Sequence, residues 1–272
     1  MHTNRLRTWS KLTVLAMCSV IIFSSCKKDE DDPASPDIPP SETMVMNFES
    51  FNSESDSTSE KGAKVAADKS NHAAAAITVG FWSGAVALQT FFPVLAFQES
   101  FNHDAVYNSD TKEWVRTYNF GAFDAHKAAL HASLDGSDVV WKMYIDLNNK
   151  PEVLWFEGVS SITGTTGTWR LYKDADNPVP YLDIVWTKNA DGADLKYTYL
   201  IEDANEGSTI SYALDVTADL DASFEIFGAE KDETVNVDWS RTDKNGRIKA
   251  PAYFSDEAYH CWDSAFINAD CE

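Results

Sequence analysis

The chain has 272 residues, with 43 Asp plus Glu against 22 Lys plus Arg, and 44% of it is hydrophobic. This length can bury a core without a disulfide framework, and the apolar content argues against wholesale disorder. A formal charge of −21 with no cluster of Lys and Arg rules against a nucleic-acid partner, because a polyanionic surface repels phosphates.

Residues 1–25 open with Arg5, Arg7 and Lys11, run uncharged from Leu12 to Phe23, and end in Ser24 and Ser25 before Cys26. About a dozen apolar residues are too few to span a bilayer, which needs roughly 20 in a helix. The segment therefore reads as a signal peptide. Phe23-Ser24-Ser25-Cys26 resembles the lipobox of bacterial lipoproteins, with small residues at the two positions before the cysteine. Phe23 departs from the usual Leu, as in the relaxed lipoboxes of Bacteroidota-type lipoproteins. The resemblance covers the leader alone. It implies cleavage before Cys26, lipidation of Cys26, and a membrane partner held through acyl chains, each buried methylene contributing about 0.8 kcal/mol. Lys27-Lys28-Asp29-Glu30-Asp31-Asp32 looks like the acidic signal that exports such lipoproteins to the cell surface, the alternative being a solvated linker. The expected location is the outer membrane, at the cell surface or on the periplasmic face.

From residue 26 to 43 the chain holds Pro33, Pro36, Pro39 and Pro40, many charges and almost nothing apolar, the composition of a disordered tether. Residues 44–272 read as a single β-rich domain. A strand is expected over 44–51, followed by a polar loop rich in Ser, Glu, Asp and Lys from Asn52 to Asn71.

No charged residue occurs from 73 to 98. Ile77, Phe81, Gly84, Leu88, Phe91 and Leu95 recur every three or four residues, a helical stripe, while Trp82, Val86 and Phe92 make the other faces apolar too. A helix over about 72–101 is expected, broken or kinked at Pro93. Such a helix is buried in protein or spans a membrane; the Ala, Gly, Ser, Gln and Pro in it dilute a span, and burial is preferred. Gly80 and Gly84 form a G-x-x-x-G spacing that on a buried helix marks a close packing surface.

From about Lys112 to Ser240 the period changes to two. Val139-Trp141-Met143-Ile145, Leu195-Tyr197-Tyr199-Ile201, Ile210-Tyr212-Leu214-Val216 and Val235-Val237-Trp239 alternate with polar residues. Turn signals such as Asp135-Gly136, Asp191-Gly192 and Glu206-Gly207 punctuate them. These patterns predict about ten antiparallel strands in a meander, a mainly β fold in which a curved sheet or partly open barrel is covered or plugged by the apolar helix. That architecture looks like the half-barrel periplasmic lipid carriers and lipoprotein chaperones, a likeness of fold alone. Trp141-Lys142-Met143-Tyr144 echoes Trp169-Arg170-Leu171-Tyr172, as a regular meander would.

Cys261 and Cys271 remain once Cys18 leaves with the leader and Cys26 is lipidated. In an oxidising compartment they are expected to pair and pin an aromatic-rich tail, with free thiols or a metal pair as alternatives. Glu99, His103 and Asp104 could share a metal but read more simply as a solvated helix end, and the Asp203–Gly207 and Asp243–Gly246 segments suit hairpin turns as well as calcium. No cofactor is expected, and no catalytic motif anchors an enzyme reading. The predicted role is a lipid-anchored envelope protein that holds a hydrophobic small molecule or lipid in a pocket lined by Phe81, Trp82, Phe91, Trp141 and Trp169. The alternatives are a glycan-acting hydrolase or carbohydrate-binding surface protein, and a structural or adhesive module.

Overall fold

The computed structural model describes residues 32–46, 51, 69–122, 126–146, 152–173 and 178–271. The leader, Cys26 with its expected lipidation, the acidic run to Asp31 and the polar stretch 52–68 lie outside the described residues. The compact unit begins at Ala34, and Pro39, Thr43 and Met44 are buried in it, where the sequence reading placed a tether to residue 43.

Among the described residues fourteen antiparallel strands form one sheet whose spatial order is the chain order. They are β1 Val106–Asn108, β2 Glu113–Phe120, β3 His126–Asp135, β4 Asp138–Asp146, β5 Val153–Ser161, β6 Thr166–Tyr172, β7 Pro180–Asn189, β8 Gly192–Tyr199, β9 Thr209–Leu214, β10 Ala222–Gly228, β11 Glu233–Trp239, β12 Gly246–Lys249, β13 His260–Trp262 and β14 Asn268–Ala269. The count exceeds the expected ten because β1 and β12 to β14 are two to four residues long, too short for alternation to register. The expected strand over 44–51 is not formed at residues 44–46: a 3-10 turn at Ser41–Thr43 leads into Met44 and Met46, which are buried against the sheet.

The meander buries one face and wets the other. In β4, Val139, Trp141, Met143 and Ile145 are all buried, whereas the opposite face carries the cross-strand row Lys142, Glu157, Arg170, Asp183. There Arg170 grips Asp183 through two hydrogen bonds of 2.8 and 2.7 Å. On the buried face bulky indoles are accommodated by glycine on the neighbouring strand. Gly158 stands between Trp141 and Trp169 in register, and the Trp169 ring lies where a Cβ on Gly158 would sit. Gly167 and Trp186 repeat the device. The echo between residues 141–144 and 169–172 thus has a packing cause: two tryptophans of equal height flank one glycine.

One long helix, α1, runs Ser70–Glu99 and continues in a 3-10 turn over Ser100–Asn102. Its ends are fastened to opposite margins of the sheet. At the start, the Asn71 amide donates to the Cys261 carbonyl on β13 (2.8 Å), and the Asn71 backbone N–H donates to Asn268 on β14 (3.0 Å). At the far end the Tyr118 hydroxyl of β2 donates to the Ala96 carbonyl (2.6 Å). From β2 to β13 is eleven steps in the strand order, roughly 53 Å across a flat sheet, yet 25 residues of helix reach only about 38 Å. The sheet therefore curls beneath α1 without closing on itself.

Pro93 lies inside α1 and does not end it. A proline lacks the N–H that would bond the carbonyl four residues back. That carbonyl, Gln89, instead accepts a hydrogen bond from the Tyr181 hydroxyl at 2.8 Å, so the expected break is bridged by a side chain from β7.

The helix is also turned the opposite way to what its stripe suggests. Asn71, Ala75, Val79, Thr90, Pro93 and Phe97 form the buried face, whereas Ile77, Phe81, Leu88 and Phe91 are 69, 65, 83 and 57% exposed. At 100° per residue the two sets lie on opposite sides of the cylinder. Small residues on the inner face let both helix ends lie close to the sheet and leave the large ones outside. Burial, preferred from sequence, thus holds for the ends and one face of α1 and fails for its outer stripe.

Gly158→Val should cost about 1–3 kcal/mol by forcing the Trp169 indole from its site. The check is the urea midpoint, with Val159→Ala, on the wet face, as the control expected to change little.

Candidate functional site

Between the middle of α1 and the curled sheet lies a cavity of about 480 Å³. Trp82, Ala85, Val86 and Gln89 form its helical wall, and Leu182, Tyr197, Ile210, Ile226 and Val235 its floor on β7 to β11. Through Ile184, the floor residues Tyr197, Ile210, Ile226 and Val235 continue the inward-facing cross-strand row that begins with Trp141 and Trp169, and Leu182 lies in the next row. The part of the row under Trp141 and Trp169 is filled; the part under Ile210 and Ile226 is not. Asn205, Ser208, Glu230 and Glu233 give the mouth a polar rim, and Lys231 is the only cation among the lining residues.

A second space of about 360 Å³ adjoins the first, sharing Gln89 and Tyr199, and is walled by Phe92, Pro93, Trp155, Tyr172, Tyr181 and Ile201. Together the two make a trough along one side of α1. A third, of about 520 Å³, opens among polar residues including Glu42, Lys188, Asp191 and Arg241.

The expected pocket does not assemble as the sequence reading drew it. Trp141 and Trp169 are 0 and 1% exposed. Each indole N–H is bonded within the core, Trp141 to Ser160 (2.9 Å) and Trp169 to Thr43 (3.2 Å), and neither lines any of the three spaces. The segment Thr43–Met46 and Phe97, whose ring meets Trp169 at 5.2 Å, occupy the position a ligand would need. Phe81 and Phe91 point away from the sheet. Of the five residues, Trp82 alone reaches a cavity. Ile210 and Val235 stood out in the sequence as strand residues, but a side chain facing an empty floor alternates just as one facing a packed core does. Ile226 lies in Phe224-Glu225-Ile226 with the same alternation and was missed.

Burial raises the tyrosine hydroxyls around the site. Tyr181 and Tyr197 are held well above the ordinary phenol range by desolvation. Both remain donors at any working pH, Tyr181 to the Gln89 carbonyl and Tyr197 to the Met44 carbonyl at 2.8 Å. Tyr172 is pushed up to about 12 by burial, with its hydrogen bond to Glu157 adding to the shift.

The other candidate groups are engaged locally. Glu99 and His103 pair at 3.1 Å, and the His103 ring stacks on Tyr118. The His103 carbonyl accepts from Arg116, towards which Asp104 exerts its charge. His131 pairs with Glu113 and His260 with Asp256. Asp203 accepts the Asn205 backbone N–H and the Tyr199 hydroxyl, so its oxygens close a turn. Among the described residues no group of three or more His, Cys, Asp or Glu is arranged to hold a metal. Cys261 and Cys271 form a disulfide, which ties the β13–β14 margin that receives the helix start.

At that margin His72 stacks on Phe266 (4.2 Å) and meets Trp262 edge-on (5.4 Å). Burial, and then the nearby Lys69 charge, hold its pKa below the ordinary 6.5. The folded state thus binds the proton less well than the unfolded chain, so this contribution is complete above about pH 6.5 and is lost as pH falls below it.

Two outcomes follow, one at the helix start and one at the proline within it. The urea midpoint should drop between pH 7.5 and 5.5, and His72→Gln should flatten that part of the profile. Tyr181→Phe should cost about 1–2 kcal/mol by stranding the Gln89 carbonyl, measured by the same unfolding curves. No family model, curated protein or solved structure matches the chain.

Proposed function

We propose that the chain is a lipid-anchored cell-envelope protein, held at Cys26, whose β domain binds a hydrophobic small molecule or lipid in the trough beneath α1. The observation that carries the reading is the cavity itself: about 480 Å³ of space with an apolar floor and a polar mouth, within the range of small-molecule sites. Its chemistry suits an amphiphile, with the apolar part on Ile210, Ile226 and Val235 and the polar end near Asn205, Ser208 and Lys231. The apolar floor of Ile210, Ile226 and Val235, left without a packed side chain above it, offers burial to an apolar guest, which favours a carrier over a purely adhesive role. The outer membrane, with display at the cell surface, remains the proposed location and rests on the leader and the acidic run that follows it.

Native mass spectrometry of the purified protein should reveal a hydrophobic molecule of cavity size carried with it. Val86→Trp, which places an indole in the cavity from the helical side, should lower the fraction carried, and the affinity for a fluorescent fatty acid, at least about tenfold, or 1.4 kcal/mol. An empty wild-type protein that binds no such probe would contradict the reading.

A further inference from the structure

The outward stripe of α1 has no role in the fold. Ile77, Phe81, Leu88 and Phe91, joined at the flank by Phe92, expose on the order of 600 Å² of apolar surface, judged from the size of such side chains. Patches beyond a few hundred Å² mark contact sites. The stripe runs past Gly80 and Gly84, where a Cβ would meet nothing, and no charge interrupts residues 73–98.

We propose that this face of α1 lies on the surface of a lipid bilayer. The inference rests on the anchoring reading given above and extends it from the tether to the folded domain. Four observations select lipid as the occupant.

The chain's own neighbouring segment lacks the means to cover the stripe, because residues 52–68 contain one Val and three Ala as their only apolar side chains. A second copy would bring two chains of formal charge −21 together with no cation on the helix to offset the repulsion. Although Ser70–Asn102 is long and apolar enough to cross a membrane, Asn71 and Ala96 are bonded to the sheet at either end. The helix can therefore lie on a bilayer but not pass through it. Finally, the chain enters the fold beside the end of α1. Ser35 accepts a hydrogen bond from Arg116, which also donates to the carbonyl of His103, the residue after the terminal turn. Nine residues separate Ser35 from Cys26, so a lipidated Cys26 keeps Ser35 within about 32 Å of the membrane, with the helix end one arginine side chain further on.

The outward face, rich in Phe and Leu and free of charge, matches the acyl region of a bilayer in polarity. Phe92 sits between the outward stripe and the trough, 42% exposed and lining the second of its two spaces. A face resting on lipid therefore sets the mouth of the trough beside the bilayer, and the ligand class this implies is a membrane amphiphile.

The test uses the full chain as the cell processes it, carrying a fluorophore at Gly84→Cys on the stripe or at Val185→Cys on the wet face of the sheet. Each protein is reconstituted into, or mixed with, phosphatidylcholine vesicles containing doxyl-labelled phosphatidylcholine. Severalfold stronger quenching at position 84 than at 185, abolished by Phe81→Glu with Leu88→Glu, is the expected result. Equal quenching at both positions overturns the proposal. So does shielding of the position 84 label that appears without vesicles and grows with protein concentration, the signature of a second copy. Wild-type chain put through the same labelling takes up dye only where the Cys26 thiol carries no diacylglycerol thioether or where Cys18 has not been cleaved away, and either result isolates a failure of the anchor. Native mass spectrometry of the Phe81→Glu/Leu88→Glu protein reads the cavity separately, since neither residue lines it.

Discussion

A helix tied at both ends to opposite margins of an unclosed sheet is the constraint from which the other features follow. Asn71 on β13 and β14 and Ala96 under Tyr118 of β2 fix the distance between margins at less than the flat width of the sheet. The sheet must curl, and curling creates a concave face. The N-terminal segment around Met44 and the ring of Phe97 fill one part of that face; the trough occupies the rest. Because both ends are held, α1 also cannot roll, and its large side chains stay outward.

The Pro93 carbonyl gap shows how closely helix and sheet are matched. A proline in a free helix leaves the carbonyl of residue 89 to water. Here β7 supplies a hydroxyl at hydrogen-bonding distance, from a tyrosine whose burial keeps it protonated. The same tyrosine lines the trough. The wall of the cavity and the continuity of the helix thus depend on one side chain, so a ligand that displaced Tyr181 would also loosen the strut.

Much of the architecture was legible in the sequence because β strands with one buried face must alternate. Val139, Trp141, Met143 and Ile145 each meet the core, and their spacing says so. The short strands β12 to β14 offered too few residues for a period, and Met44 with Met46 imitated a strand while forming a plug. The orientation of α1 was illegible for a different reason: apolar residues occupy both faces, so periodicity finds two stripes and ranks the larger one inward. Only the tight approach of Ala75 and Val79 to the sheet, a three-dimensional fact, reverses that choice. The trough was hidden likewise, since the absence of a packing partner leaves no mark on the residue that lacks one.

The bond between Cys261 and Cys271 sits at the foot of the strut, on the margin that Asn71 grips. In a reducing cytosol this margin has no covalent clasp, and the last two strands are only three and two residues long. The disulfide therefore reinforces the far edge, while the curvature itself follows from the two helix ties. The far support of the helix is thus clasped by a covalent ring of short span, and reducing it would loosen the very edge on which the start of the strut rests.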